Sequence, residues 1–114
     1  PRGAFAEERG ESSAVVMARV EEARDVQRQR WSPRGHELNG RVPGSVLRRP
    51  PFRLPQQVTR AVDRYIDLGR ISLRGYDRIL RLAWTAADLA GHTVPDAGDV
   101  DFALALREAG AQAA

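Results

Sequence analysis

The sequence predicts an all-α fold, a small bundle of four to five helices. Apolar residues recur at helical spacing in each well-patterned stretch, and no stretch shows a convincing strand alternation. Serine and proline stand where such stretches begin, and glycine stands where several of them end. With 114 residues, 42% apolar and 29% charged, the chain has the composition of one globular domain with a modest core. No internal repeat is present.

Residues Pro1 to Glu11 combine glycine with mixed charge and no periodicity, and read as an irregular lead-in. Ser12 and Ser13 can each cap a helix, because a hydroxyl accepts a free amide of the first turn. Val16, Ala18, Val20 and Ala23 then fall near one face, with Glu21–Arg24 and Asp25–Arg28 as i,i+3 pairs on the wet side. This helix should reach about Arg30, where Ser32-Pro33 and Gly35 stop it.

From Ser32 to Pro55 the chain is rich in proline and glycine. Asn39-Gly40 signals a turn and Pro50-Pro51 bars a helix. Between them Pro43 to Arg49 suits one short helix with Val42, Val46 and Leu47 facing inward. Pro55 to Leu68 is a clearer helix that Gly69 closes in a left-handed conformation. Its buried stripe is Val58, Ala61, Val62, Tyr65 and Ile66; its wet side is Arg60, Asp63, Arg64 and Asp67.

Ser72 to Gly91 is the strongest segment. Leu73, Tyr76, Ile79, Leu80, Leu82, Ala83, Ala86, Ala87 and Leu89 cover most of its circumference, the pattern of a central helix. One narrow polar line remains: Arg74, Arg78, Arg81, Thr85 and Asp88. A last helix follows His92-Thr93-Val94-Pro95. Asp96 and Asp99 favour its positive end, and Val100, Ala103, Leu104 and Arg107 share one face. The helical domain is placed at residues 12–109, with 110–114 as a frayed tail.

Composition excludes several chemistries. There is no cysteine, so disulfides, thiolate metal sites and cysteine nucleophiles are ruled out. All 18 basic residues are arginine. Without lysine the chain holds neither a Walker A loop nor a Schiff-base residue. No apolar run approaches the roughly 20 residues of a membrane span, and no signal-peptide core precedes Ser12. The reading is of a cytoplasmic protein, and the opening on Pro1 rather than Met reads as part of a longer polypeptide.

His36 and His92 lie in separate loops without metal-ligand spacing, so no metal site is assigned. Arg74 stands out. It follows the Ser72 cap in the first turn, where free amides and the helix dipole favour an anion and a guanidinium can fork onto phosphate oxygens. The alternative is a solvated face, with Arg78 paired to a carboxylate. Arg19, Arg24, Arg28 and Arg30 followed by Trp31 suit a nucleic-acid surface, although Glu21, Glu22 and Asp25 interrupt it. Trp84 reads as core or interface.

The words Ser12-Ser13, Arg19-Val20, Ala23-Arg24, Gln27 and Asn39, and above all Ile71-Ser72-Leu73-Arg74-Gly75-Tyr76-Asp77-Arg78-Ile79-Leu80-Arg81-Leu82-Ala83 with Thr85-Ala86-Ala87-Asp88-Leu89-Ala90-Gly91, resemble the C-terminal domain of magnesium-chelatase-like AAA+ proteins. The resemblance runs from about Glu11 to Arg107. Its nearest branch is ComM (YifB-like), toward which Asn39 to Gly44 also leans.

The resemblance implies the helical lid of an AAA+ ATPase, inactive alone. Arg74 would be the sensor-2 arginine that binds nucleotide and acts in catalysis only with the parent core. Arg78, Arg81 and Arg19 are further phosphate or interface contacts. ATP and Mg2+ belong to the parent and none is bound by this domain alone. Implied partners are the N-terminal AAA+ core of the same polypeptide, further copies in a ring, and DNA. Trp84 stands where the family usually carries arginine, and Ala86 where it usually carries isoleucine.

Three functions therefore compete. The first is the lid of a ComM-like ATPase that couples hydrolysis to DNA remodelling, with the lid of a magnesium chelatase motor subunit as its variant. The second is a self-contained nucleic-acid-binding helical module. The third is an interaction domain with Trp84 and Phe102 at the contact.

Overall fold

A computed structural model describes residues 12–113, and the side chains of residues 12–110. The lead-in assigned to Pro1–Glu11 lies outside the described residues. Among the described residues five α-helices follow in order: α1 Ser13–Trp31, α2 Gly44–Leu47, α3 Gln56–Asp67, α4 Leu73–Ala90 and α5 Ala97–Ala113. Two 3-10 turns, Ser32–Arg34 and Asn39–Arg41, join α1 to α2. There is no strand among the described residues, and none of their helices is long and apolar enough to cross a membrane.

The punctuation acts as its chemistry requires. Ser12 Oγ accepts the Val15 amide at 3.2 Å, and Ser72 Oγ accepts the Gly75 amide at 3.1 Å. Asp96 and Asp99 form a reciprocal capping box at the start of α5, each carboxylate accepting the other's backbone N–H at 2.9–3.0 Å. Gly91 closes α4 at φ 80°, and the next amide, of His92, reaches back to the Ala87 carbonyl at 2.8 Å. Helix α5 continues through Ala113. The Pro50–Pro51 peptide is cis.

Helix α4 is central and has a core on each side. On one, Val62, Ile71, Ile79, Ala83, Val100, Ala103 and Leu104 pack together between α3, α4 and α5. On the other, Trp31, Val42, Leu47, Leu80 and Trp84 pack together, with Val46 and Phe52 against them. Leu54 and Tyr76 touch both clusters. Trp31 lies with its ring centroid 4.6 Å from that of Phe52 and 6.4 Å from that of Trp84.

Helix α1 departs from its sequence pattern. Val16 and Ala18 are exposed and Val20 only half-buried; the residues it buries are Ala23, Gln27 and Trp31, one turn apart. Its first two turns are exposed throughout, Met17 at 62%. The inward face was therefore misread, because a buried glutamine does not register in an apolar periodicity.

Candidate functional site

Two polar constellations lie on α4, one at each end. At the C-terminal end the carboxylate of Asp88 is fully buried. Arg30 grips it with both terminal nitrogens, at 2.6 and 3.0 Å, and Asn39 Nδ2 donates to it at 2.9 Å and to Thr85 Oγ1 at 3.1 Å. The Asn39 carbonyl in turn accepts the Trp31 indole N–H at 2.7 Å and Arg30 at 3.2 Å, while its backbone amide donates to Gln27 Oε1 at 3.0 Å. One asparagine, 1% exposed, thus joins α1, the second 3-10 turn and α4. The guanidinium of Arg30 also lies over the Trp84 ring, 4.6 Å from its centroid.

This network is structural. A buried, multiply bonded ion pair fixes how α1 crosses α4 and leaves the Asp88 carboxylate closed to a ligand from solvent. It also divides the polar line read from the sequence. Thr85 and Asp88 belong to the buried network, and Arg81 Nε is committed to the Val42 carbonyl at 2.8 Å. Only Arg74 and Arg78 remain on the surface, and among the described residues neither has an ion-pair partner.

The N-terminal end of α4 is electropositive. Its first turn contains Arg74 and no acidic residue. Ser72 fills the Gly75 amide and its carbonyl accepts the Tyr76 amide, so the Leu73 and Arg74 amides are the open donors of that turn. Arg107, arriving from α5, lays its guanidinium over Gly75: a β-carbon there would stand 3.4 Å from Nη2 and 3.5 Å from Nε. Arg78, Leu82, Leu106 and Arg107 line a groove of about 460 Å³. The sequence put Arg107 on one face of α5 with Val100, Ala103 and Leu104 and did not associate it with Arg74.

Two carboxylates of this region are otherwise engaged. Asp77 pairs with Arg48 at 2.9 Å and rests against Gly44, and Asp63 accepts from Thr59 and from the Tyr76 hydroxyl, both at 2.8 Å. Burial, and then that bond to Asp63, push the Tyr76 phenol up to about 12. The donor set at this end, open amides beside guanidiniums with no acid among them, suits a phosphate.

The remaining candidates fall elsewhere. Arg19 borders a groove of about 660 Å³ between α1 and the end of α4, and it is not a free cation there. Trp31 is fully buried, with its N–H spent on Asn39, so it is no stacking platform for a nucleobase. Trp84 is 3% exposed and its indole nitrogen has no partner. It fills core beneath Arg30 and is not an interface residue, whereas Phe102 is 56% exposed. His92, set in a loop by the sequence, is drawn with Asp96 and Asp99 into a cluster whose ligand atoms lie within 4.8 Å of one another. Both carboxylates there already cap α5, and His92 Nδ1 meets Asp99 at 2.8 Å.

Comparison with known proteins matches residues 10–107 to the family described as magnesium chelatase, subunit ChlI C-terminal. An uncharacterized protein of Mycobacterium bovis and uncharacterized proteins from two strains of Mycobacterium tuberculosis are each 44% identical over 110 residues. The match covers 96% of this chain and 22% of each relative, so the chain spans about a fifth of the length of these curated relatives. No solved structure matches. By the family match over most of its length, the chain belongs to the magnesium chelatase ChlI C-terminal domain family.

Proposed function

We propose that this domain is the helical lid of an AAA+ ATPase and that Arg74 is its sensor-2 arginine. One observation carries the reading. In a domain of this family, Arg74 stands exposed, with no ion-pair partner among the described residues, on the Ser72-capped first turn of α4, beside open backbone amides. A guanidinium held there forks onto the oxygens of a terminal phosphate presented by the core of the same polypeptide. ATP with Mg2+ supplies the transferable phosphoryl group when the core binds it. Arg74 would hold its oxygens and stabilise the negative charge that grows on them.

The α4 helix gives that contact a mechanical meaning. Arg74 is fixed to a helix that both cores grip, so holding a phosphate would set the angle of the whole domain, and losing it would release that angle. The wording of Asn39–Gly44 and Ile71–Gly91 further favours a ComM-like parent, a homo-oligomeric ring that remodels branched DNA, over a chelatase motor subunit.

The test is Arg74→Ala in the full-length protein. Loss of one charge-assisted contact, worth roughly 1.5–3 kcal/mol, lowers ATP turnover about 10- to 150-fold, with the thermal transition unchanged. Normal turnover by a folded variant removes Arg74 from this role. Stimulation of the ATPase by branched DNA, and not by porphyrin with magnesium, is the outcome that selects the ComM-like branch.

A further inference from the structure

The N-terminal end of a helix carries a partial positive charge, and proteins ordinarily place acids there. This domain does the reverse at α4. The first turn holds Arg74 and no acid, and Arg78 follows one turn later. A second helix then brings the Arg107 guanidinium over Gly75, in that same turn. None of the three cations has a carboxylate partner among the described residues, while Asp77 and Asp63 beside them are committed to Arg48, Thr59 and Tyr76.

Arg107 is also not a solvated surface residue. It is partly buried and, with Arg78, Leu82 and Leu106, lines a groove of about 460 Å³. The chain therefore spends side-chain entropy to hold a cation against a positive helix end. A bound anion removes that conflict.

We propose that Arg107 is a second phosphate-binding residue, acting with Arg74 on the polyphosphate of the same nucleotide. The inference rests on the lid reading and extends its site from α4 to α5. Gly75 marks where the Arg107 guanidinium meets the helix, at ordinary van der Waals range from a β-carbon placed there. Two forks from two helices contact more phosphate oxygens than one, and they make nucleotide binding depend on the packing of α5 on α4.

The experiment measures ATP affinity and turnover in the full-length protein carrying Arg107→Met, which keeps an unbranched side chain and removes the charge. The expected result is ATP affinity weakened about tenfold, the size of one charge-assisted hydrogen bond, with an unchanged thermal transition and partial recovery in Arg107→Lys. Unchanged affinity in Arg107→Met while Arg74→Ala is impaired overturns the role of Arg107 and leaves the lid reading standing. Unchanged affinity and turnover in both variants overturns both. Should the methionine variant fail to fold, Arg107→Gln takes its place, and the same outcomes decide.

Discussion

Replacing Asn39 by alanine is the most informative perturbation of the fold, because one side chain holds three elements. The substitution strands the Trp31 indole N–H, whose 2.7 Å bond to Asn39 is its partner in a fully buried position. An unsatisfied buried donor costs about 1–3 kcal/mol. Asp88 keeps both contacts from Arg30 but loses the Asn39 Nδ2 donor at 2.9 Å, about 1 kcal/mol more. The void left by the amide adds about another 1 kcal/mol. The total is about 4 kcal/mol, and at near 4 °C per kcal/mol for a domain of this size the thermal midpoint falls by about 15 °C.

Circular dichroism at 222 nm against temperature, at pH 7, measures it. Asn39→Asp provides the control on mechanism. It keeps the acceptor for Trp31 but sets a second carboxylate against Asp88. Its deficit relative to the parent should therefore narrow as pH falls and one of the two acids takes a proton. A midpoint for Asn39→Ala within about 4 °C of the parent, or a deficit for Asn39→Asp that does not change with pH, refutes the account of Asn39 as the junction.

Further outcomes follow from other contacts. Gly44→Ala drives its β-carbon into the Asp77 carboxylate and displaces the Arg48 pair, so chemical denaturation should show a loss of about 2 kcal/mol. Trp31→Phe should cost about 1 kcal/mol more than Trp84→Phe, because the first deletes a hydrogen bond and the second deletes an N–H that has no partner; equal losses in urea titrations would contradict this. His92 is held above its ordinary value of 6.5 by its hydrogen bond to Asp99 and by the charges of Asp99 and Asp96. Its pKa is higher folded than unfolded, so its contribution is complete below about pH 6.5 and disappears as pH rises through the folded value. The midpoint of the parent should thus drop from pH 6 to pH 8 more than that of His92→Gln, and parallel profiles would remove His92 from the α4–α5 junction.

The helices were legible because their signals are local. Ser12, Ser72, Gly69 and Gly91 are caps whose effect extends one turn, and the apolar stripe of α3 needs no distant information. The face of α1 was not legible, since what it buries is Gln27 and Trp31 and the reason lies in a turn eight to twelve residues further on. Asp88 looked like the end of a wet stripe because a buried carboxylate and an exposed one are the same letter; only Arg30, 58 positions away, distinguishes them. Arg74 was legible as a candidate from its cap and its turn. Arg107 was not, because its relation to Gly75 exists only after α5 has folded back along α4.

The central position of α4 also has a consequence for how the molecule is made. Ribosomes deliver the chain from its N-terminus, and both hydrophobic clusters include residues of Leu73–Ala90. Trp31, Val42, Leu47 and Val62 therefore emerge with nothing to close over them, and remain so for the time it takes to add the next few dozen residues. The first half of the domain cannot mature ahead of the second. Assembly waits for α4, which lets the Trp31 side close, and the Val62 side waits further for Val100, Ala103 and Leu104 of α5, so a stall or truncation before Ala90 leaves an adhesive intermediate rather than a smaller folded unit.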